Sequence, residues 1–333
     1  MSSAAYITSA VIVFLSAFFL TYFVTPVMIR KMLKRGITGK DMNKAEKPEV
    51  AEMGGISIML GLSLGIIMAI FISTYTGLIG LDLKILLASF LTILLVGFIG
   101  IVDDLIGWRK GIRQWQHALF PLFAALPLMA VNAGTNTMMV PFFGQVHFGL
   151  LYSLLLVPIA ITGASNAFNM LAGFNGLEAG LGIIIVSTLS LIAFIYGKPE
   201  ALIIGIAIIG ALIAFLRYNW FPAKVFGGDS LTLMIGAGIA TISIVGNMEK
   251  LGLAIIALHW VELGFKAKHN FQSQCFGIPD KHGFLSPAPQ GGSLTHIIMA
   301  LRPMTEKQVV FTILGMQAVV SVIVFVLFYY KLF

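Results

Sequence analysis

The chain is poor in charge. Only 11% of its 333 residues are Asp, Glu, Lys or Arg, whereas 58% are hydrophobic. Soluble globular proteins usually carry about 25% charged residues, so this chain has too few to cover a surface exposed to water. The composition therefore excludes a soluble enzyme and any disordered or fibrous class. It predicts an all-α, polytopic membrane protein.

Cysteine is almost absent. Cys275 is the only one, which excludes an intrachain disulfide and leaves the redox compartment unspecified. The net charge of +7 does not indicate nucleic-acid binding, because the basic residues lie in short segments between apolar runs. An anionic lipid surface or an anionic substrate explains them better. The apolar run 6–24 lacks a basic n-region and a small-residue cleavage site, so we expect a retained span rather than a signal peptide.

Ten segments are candidates for membrane-spanning helices, which need roughly 20 apolar residues each. Several are short, and tilting or local thinning of the bilayer can accommodate them. Together they predict a single integral membrane domain over residues 1–333. The predicted spans are 6–29, 54–73, 84–102, 114–132, 149–168, 179–196, 201–216, 231–246, 251–265 and 308–330.

The charged residues are concentrated on one side of these spans. Alternate loops hold 17 of the 21 Lys and Arg residues and ten of the 14 acidic residues. The positive-inside rule makes that side cytoplasmic and places both termini outside. The span interiors carry almost no ionisable group, which argues against a proton- or ion-coupled transporter. The charge-rich loops are 30–53, 103–113, 169–178, 217–230 and 266–307.

Asp103 and Asp104 lie at the inner end of the third predicted span. Adjacent carboxylates repel each other and are costly near lipid, and a divalent cation or a basic partner would offset that cost. Carboxylate oxygens suit Mg²⁺, and one of the pair could act as a base. The alternative is a helix cap on a solvated loop.

The segment 166–178 holds three Asn and one Glu between two apolar spans. Asn166 and Asn169 are three residues apart and share a helix face. An amide oxygen is a hard ligand for Mg²⁺, and a second amide can bind the edge of a base or a sugar. Helix capping and turn formation are the alternative, since Asn and Gly dominate turns.

Asp229 follows a Gly-Gly turn and begins the eighth predicted span. Anions and Mg²⁺-bound diphosphates are favoured at a helix N-terminus. Asp229 could therefore supply a second metal ligand, and Phe226 an aromatic face for a base. The alternative is that Asp229 only caps the helix.

Two further loops carry polar groups. The segment 266–296 is too polar for a span and too long for a tight turn, and long loops often form lids or binding loops. Its alternative is a solvated basic loop that only sets topology, and its His spacing does not match a zinc site. In the first loop, Lys40–Met42 and Glu52 precede a Gly-Gly pair at which the chain re-enters the membrane.

Taken in order, these motifs resemble the polyprenyl-phosphate N-acetylhexosamine-1-phosphate transferase family, glycosyltransferase family 4, over about residues 20–330. They are Asp-Met-Asn-Lys at 41–44, the Asp pair at 103–104, the Asn-rich segment at 166–178 and Tyr-Asn-Trp-Phe-Pro-Ala-Lys-Val-Phe-Gly-Gly-Asp at 218–229. They are most similar to the branch that makes dolichyl-diphosphate N-acetylglucosamine (GlcNAc) at the start of N-glycosylation. The short loops favour an archaeal member.

The resemblance implies a reaction. UDP-GlcNAc and a polyprenyl (dolichyl) phosphate would give polyprenyl-diphospho-GlcNAc and UMP, with Mg²⁺, or alternatively Mn²⁺, as cofactor. The expected partners are these two substrates and membrane lipid, with no nucleic acid and with a homodimer left open. The expected location is the cell membrane, with the active site facing the cytoplasm.

The resemblance also implies residue roles. Asp103 and Asp104 would orient or deprotonate the lipid phosphate, and Asn169 and Asp229 would hold Mg²⁺ on the diphosphate. The UDP-sugar would contact Lys40, Asp41, Met42, Glu52, Asn175, Gly176, Leu177, Phe226, Lys268, His269, Lys281 and His282. The lipid phosphate would contact Arg113, Thr162, Asn166 and Phe168.

The last cytoplasmic loop departs from the family. It has neither the histidine-rich motif of the bacterial branches nor the Arg-His-Arg element of the eukaryotic enzyme. Its sugar contacts, and the choice of GlcNAc over another UDP-N-acetylhexosamine, therefore stay open.

Three other functions make different predictions. A nucleotide-sugar or lipid-diphosphate transporter could use the same ligands, but it predicts polar groups on both membrane faces. A CDP-alcohol phosphotransferase would carry a different aspartate motif with an Arg, which is absent here. A non-catalytic scaffold would not need Asn169, Asp229 and the Asp pair together.

Overall fold

Long apolar runs of the sequence form long helices. The computed structural model describes residues 3–107, 114–140 and 144–332. Within them, seven helices are long and apolar enough to cross a membrane, so the chain is a polytopic, predominantly helical membrane protein. The helices are α1 (Ser3–Arg35), α2 (Gly55–Thr76), α3 (Leu83–Gly107), α4 (Gln114–Ala124), α5 (Leu126–Ala130), α6 (Val157–Met170), α7 (Leu177–Ile195), α8 (Pro199–Asn219), α9 (Asp229–Val245), α10 (Glu249–Ile255), α11 (Ala257–Lys268), α12 (Leu294–Leu301) and α13 (Glu306–Tyr329). A π-helical turn, Tyr152–Leu156, runs into α6, and the two together form one of the seven.

Three of the predicted spans do not form a single long helix. The segment 114–132 divides at Ala125 into α4 and α5, where Pro127 occupies the first turn of α5. Proline lacks an N–H group and is tolerated there, where that group would be unpaired. The segment 251–265 divides at Ile256 into α10 and α11. The segment 231–246 lies in α9, which has 17 residues.

Helix α9 is the centre of the bundle. Every residue from Ser230 to Ile244 is buried, and α9 packs against α2, α3, α6, α7 and α8. A helix surrounded by other helices loses little by being short, because its ends contact protein and not lipid. Its first residue, Asp229, therefore lies inside the protein at the end of the bundle where several loops meet.

Short strands in the loops add to the expected all-α framework. β1 (Thr38–Lys40) pairs with β2 (Glu49–Ala51), and β3 (Thr137–Val140) with β4 (Gly144–His147). β5 (Gly277–Pro279), β6 (Phe284–Pro287) and β7 (Met304–Thr305) form a third antiparallel sheet. Pairing of this kind satisfies backbone groups that the loops would otherwise leave without partners.

The first loop is joined to the loop before α9. The Phe226 N–H donates to the Ala51 carbonyl at 2.8 Å, and the Gly54 N–H donates to the Phe226 carbonyl at 2.9 Å. These bonds fix Glu52 and the start of α2 beside Phe226 and Asp229, although more than 170 residues separate them in sequence.

A buried ionic network joins three distant segments. Lys44 Nζ lies 2.6 Å from Asp41 Oδ2 and 2.6 Å from Glu306 Oε2. Asn175 donates from Nδ2 to Asp41 Oδ2 at 3.0 Å and from its backbone N–H to Glu306 Oε1 at 2.9 Å. The first loop, the α6–α7 connection and the start of α13 thus share one set of charges.

We expect Lys44→Met to destabilise the protein by about 3 kcal/mol, because it leaves two buried carboxylates without their cation. Thermal unfolding in detergent, followed by circular dichroism, measures this loss. Lys34→Met is the matched control, since Lys34 is exposed near the end of α1, and it should change stability by less than about 0.5 kcal/mol. Equal stability of the two variants would contradict the importance of the network.

Candidate active site

A cavity of about 210 Å³ lies at the N-terminal end of α9. Four segments form its walls: the first loop, the end of α6 with the turn that follows it, the loop before α9, and the loop between α11 and α12. The structure brings seven of the predicted site residues to this cavity: Lys40, Asp41, Met42, Glu52, Asn169, Phe226 and Asp229.

The two predicted metal ligands meet in this cavity. Asn169 is near the end of α6, Asp229 begins α9, and these two helices pack together. Asn169 Nδ2 donates to Asp229 Oδ1 at 2.9 Å. Because an amide group can be turned over, both residues can present an oxygen to the same point.

This pair of residues suits a hard cation. Among the described residues, no three His, Cys, Asp or Glu side chains lie close enough together to hold a metal ion by themselves. Mg²⁺ commonly uses one or two protein oxygens and completes its six ligands with water and substrate phosphates. The donor set Asn169 and Asp229 fits that behaviour and does not fit a structural zinc site, which needs four ligands.

Asp104 fixes the backbone of Asp229. Its Oδ1 accepts the Asp229 N–H at 2.7 Å and its Oδ2 accepts the Ser230 N–H at 3.2 Å. The approach is so close that a Cβ on Gly228, whose φ is +73°, would lie 2.5 Å from Asp104 Oδ2. Asp103 is buried, and neither carboxylate lines the cavity. The structure therefore places Asp104 at the helix start and not among the lining groups.

The described lining of the cavity is acidic. It contains the carboxylates of Asp41, Glu52, Glu178 and Asp229, against the single ammonium group of Lys40. Burial raises the pKa of the Glu52 carboxyl, and the negative charge of Asp229 raises it further. A diphosphate entering such a cavity would be repelled unless a cation accompanied it.

Asn175, Gly176 and Leu177 do not line the cavity. Asn175 is buried and its side chain donates to Asp41. Gly176 has a φ of +82° and packs against the Trp220 ring. These residues support the walls of the site from behind, and a direct contact with a nucleotide stays a prediction.

The residues predicted to bind the lipid phosphate lie along α6. Asn166 Nδ2 donates to the Thr162 carbonyl at 2.9 Å, and the buried Phe168 ring stacks on His259 at 4.7 Å between ring centroids. Arg113, the predicted basic group, lies outside the described residues.

An apolar groove of about 360 Å³ runs along another face of α6. Gly163 and Ala164 of α6 and Ile239 and Ala240 of α9 line it, together with residues of α10 and α11. At one end, the Tyr152 hydroxyl donates to the Glu249 carboxylate. Helices α6 and α9 therefore border both a polar cavity and an apolar groove.

The predicted basic residues of the long loop lie away from the cavity. Lys268, Lys281 and His282 are exposed, and His269 Nδ1 contacts the Phe265 carbonyl at 2.9 Å. None of these four residues lines the cavity at the start of α9 or the cavity that adjoins it.

A second cavity of about 360 Å³ shares Met42 and Phe276 with the first. Lys47, Gln274, Gln290 and His296 supply its polar side chains. Phe276 and His296 are not among the residues predicted from the sequence to form the site. The one signal in the sequence that points to these two residues is their position in the long polar segment 266–296. Glu178 was also missed, although it lies in the Asn-rich motif, and its Oε1 accepts the Gly173 N–H at 2.6 Å.

Comparisons with a family profile and with known proteins indicate the same family. The sequence profile described as glycosyl transferase family 4 matches residues 86–247. A Saccharolobus solfataricus protein, named as a UDP-N-acetylglucosamine–dolichyl-phosphate N-acetylglucosaminephosphotransferase, is 38% identical over 94% of this chain and 95% of its own. A protein of the same name from Sulfolobus acidocaldarius is 34% identical over 92% of each chain.

A bacterial relative extends the comparison. The phospho-N-acetylmuramoyl-pentapeptide-transferase of Limosilactobacillus reuteri is 32% identical over 72% of this chain and 76% of its own. Because the archaeal similarity covers nearly the whole length of both chains, the protein belongs to glycosyl transferase family 4.

Proposed function

We propose that this protein transfers GlcNAc 1-phosphate from UDP-GlcNAc to a polyprenyl (dolichyl) phosphate and releases UMP. The observation that carries the proposal is the meeting of Asn169 and Asp229 in a polar cavity, with an apolar groove further along the same two helices. The names of the two archaeal relatives support the choice of donor and acceptor.

The reaction breaks one phosphoanhydride bond and forms another. An oxygen of the acceptor phosphate attacks the phosphorus that carries the sugar, and the bond from that phosphorus to the UMP oxygen breaks. Such transfers depend mainly on positioning and on neutralising the charge of the leaving group. The acidic described lining of the cavity supplies little positive charge of its own.

Mg²⁺, when bound, would neutralise the diphosphate and the departing UMP. Asn169 and Asp229 would hold it, with the remaining positions taken by phosphate oxygens and water. Asp104 holds the start of α9 through two hydrogen bonds to the N–H groups of Asp229 and Ser230. In this proposal, these bonds keep Asp229 in position to bind the metal. Asp103 would orient or deprotonate the acceptor phosphate.

The two substrates would approach from different sides of α6 and α9. Phe226, Met42 and Glu52 line the cavity in which we place the nucleotide. The apolar groove beside α6 would take part of the prenyl chain, because an extended hydrocarbon gains about 25 cal/mol for each Å² removed from water. Arg113 would hold the acceptor phosphate.

We also propose that the site faces the cytoplasm. The loops that form it follow α1, α6, α8 and α11, and Asp104 ends α3, so all of them leave the bundle at one end. The concentration of Lys and Arg in these loops supports a cytoplasmic orientation. Ten membrane crossings, with α9 and the divided helices each counted once, would leave both termini outside.

Two alternatives make different predictions. Another UDP-N-acetylhexosamine could be the donor, and the second cavity, with its glutamines and His296, is where the difference would lie. A transporter would bind the same nucleotide without transfer. Purified protein with Mg²⁺, polyprenyl phosphate and a panel of radiolabelled UDP-sugars separates these cases, since only a transferase moves label into the organic phase and releases equal UMP.

We expect Asp229→Ala to lower transfer at least about 100-fold, because one of two protein ligands is lost at the site of developing charge. Asp82→Ala, in the connection between α2 and α3, is the control and should keep near-normal turnover. The two-phase assay measures both, and circular dichroism checks folding. Normal turnover by Asp229→Ala at saturating Mg²⁺ would refute the metal assignment.

Asp103 and Asp104 should differ in their effect on Mg²⁺. Asp104→Asn weakens the bonds that hold the Asp229 backbone, so the half-saturating Mg²⁺ concentration should rise roughly tenfold. Asp103→Asn should lower kcat with less than about a twofold change in that concentration. The transfer rate of both variants, measured as a function of Mg²⁺ concentration, tests this. An equal rise of the half-saturating Mg²⁺ concentration in both would contradict these separate roles.

A further inference from the structure

A buried polar cluster joins α11 to the loop that precedes α12. Glu262 and Lys266 lie one turn apart on the buried face of α11, and Cys275 lies in the loop. Lys266 Nζ is 3.5 Å from Glu262 Oε1 and 3.3 Å from Cys275 Sγ. None of the three side chains lines the cavities or the groove of the proposed reaction.

Glu262 contacts both ends of the loop. Its Oε2 accepts the Leu294 N–H at 2.7 Å and the Ser293 hydroxyl at 3.1 Å. Its Oε1 lies 3.4 Å from Cys275 Sγ. A carboxylate at a helix N-terminus is favourable, and Leu294 begins α12. One side chain therefore closes the loop from residue 275 to residue 294.

The cluster also reaches the end of α6. Lys266 Nζ donates to the Ser273 carbonyl at 2.6 Å, and the Cys275 thiol donates to the Met170 carbonyl at 3.2 Å. Met170 directly follows Asn169, the candidate metal ligand. The start of the loop is thus fixed to the helix that carries the site.

Phe276 connects the buried cluster to the walls of the two cavities. It follows Cys275 and lines both cavities. His296 Nε2 lies 3.0 Å from its carbonyl, and Thr295 Oγ1 donates to the Cys275 carbonyl at 2.7 Å. The ring packs so closely on Gly173, where φ is +105°, that a Cβ there would lie 2.6 Å from it.

Stability alone does not account for this cluster. Removing an ion pair from water costs several kcal/mol per ion, and apolar side chains of similar volume often stabilise a protein as well or better. What the polar groups add is direction, because each hydrogen bond has a fixed geometry. The bonds of Glu262 and Lys266 converge on the loop that carries Phe276.

We propose that Glu262 is a positioning residue for the donor substrate, holding Phe276 and His296 at the two cavities through Cys275 and Leu294. The inference rests on the proposed function, because it assigns these cavities to the UDP-sugar. Glu262 touches no substrate. Its removal should therefore weaken the use of the UDP-sugar and leave the use of the polyprenyl phosphate nearly unchanged.

Glu262→Gln in the full-length protein tests this first by kinetics. The amide keeps the shape and loses the charge. We expect the KM for UDP-GlcNAc to rise about tenfold, with the KM for polyprenyl phosphate within about twofold of wild type. Glu200→Gln, in the first turn of α8, is the control and should leave both values unchanged. An equal rise in both KM values would refute the positioning role.

Thiol labelling supplies a second readout that needs no turnover. Since Cys275 is the only cysteine, N-ethylmaleimide modification reports on this loop alone. Cys275 is 5% exposed, so wild-type protein should react slowly and Glu262→Gln at least about ten times faster. An unchanged labelling rate would overturn this inference. Absence of transfer by the wild type would instead overturn the proposed function, so the two failures are distinguishable.

The double variant Glu262→Gln, Lys266→Met covers the case in which Glu262→Gln does not fold. It removes both charges and leaves no uncompensated ammonium group in the interior. The same rise in the KM for UDP-GlcNAc and in the labelling rate is expected from it. Wild-type values for both quantities in a folded double variant would refute the inference.

Discussion

The start of a helix exposes N–H groups that the helix itself cannot pair, and in α9 that start lies inside the protein. Asp104 accepts two of these N–H groups. A carboxylate buried at this point is tolerable because the helix end is partially positive. The other polar groups of the cavity lie around the same helix end, whereas the interior of the bundle is mostly apolar. The location of the site therefore follows from where α9 begins.

The sequence predicted the residue types of the site better than their arrangement. Asn169 and Asp229 could be paired from sequence because each ends or begins an apolar span on the same side, and helix ends on one side converge. Asn175 could not be placed, because the turn after α6 decides which way its side chain points, and it points to Asp41. Lys268 and His282 could not be placed for a similar reason, since both are exposed and line neither cavity. A basic loop can expose its charged side chains to water while other residues, here Phe276 and His296, line a cavity.

Two predicted spans form two helices each, and a third lies in a helix shorter than an ordinary membrane span. Helix α9 is too short for an ordinary span but is enclosed by its neighbours. The breaks at Ala125 and Ile256 divide apolar runs that look continuous. One face of α11 lines the apolar groove, through Trp260, and another contacts the loop before α12, through Glu262. A single helix thus lines the groove proposed for the lipid and holds the loop that carries Phe276.

The network around Lys44 has a consequence for how the protein is made. Lys44 is synthesised early, yet its partner Glu306 is 262 residues further along the chain. Asn43 contacts Gly173 and Gly277, which lie 130 and 234 residues further along. Contacts between segments so far apart form late, since the intervening chain must be ordered first. The Lys44–Glu306 ion pair therefore forms only after the start of α13 has been synthesised. A chain that ended before α13 would keep the contacts of the first loop with the loop before α9, but it would leave Lys44 with Asp41 alone.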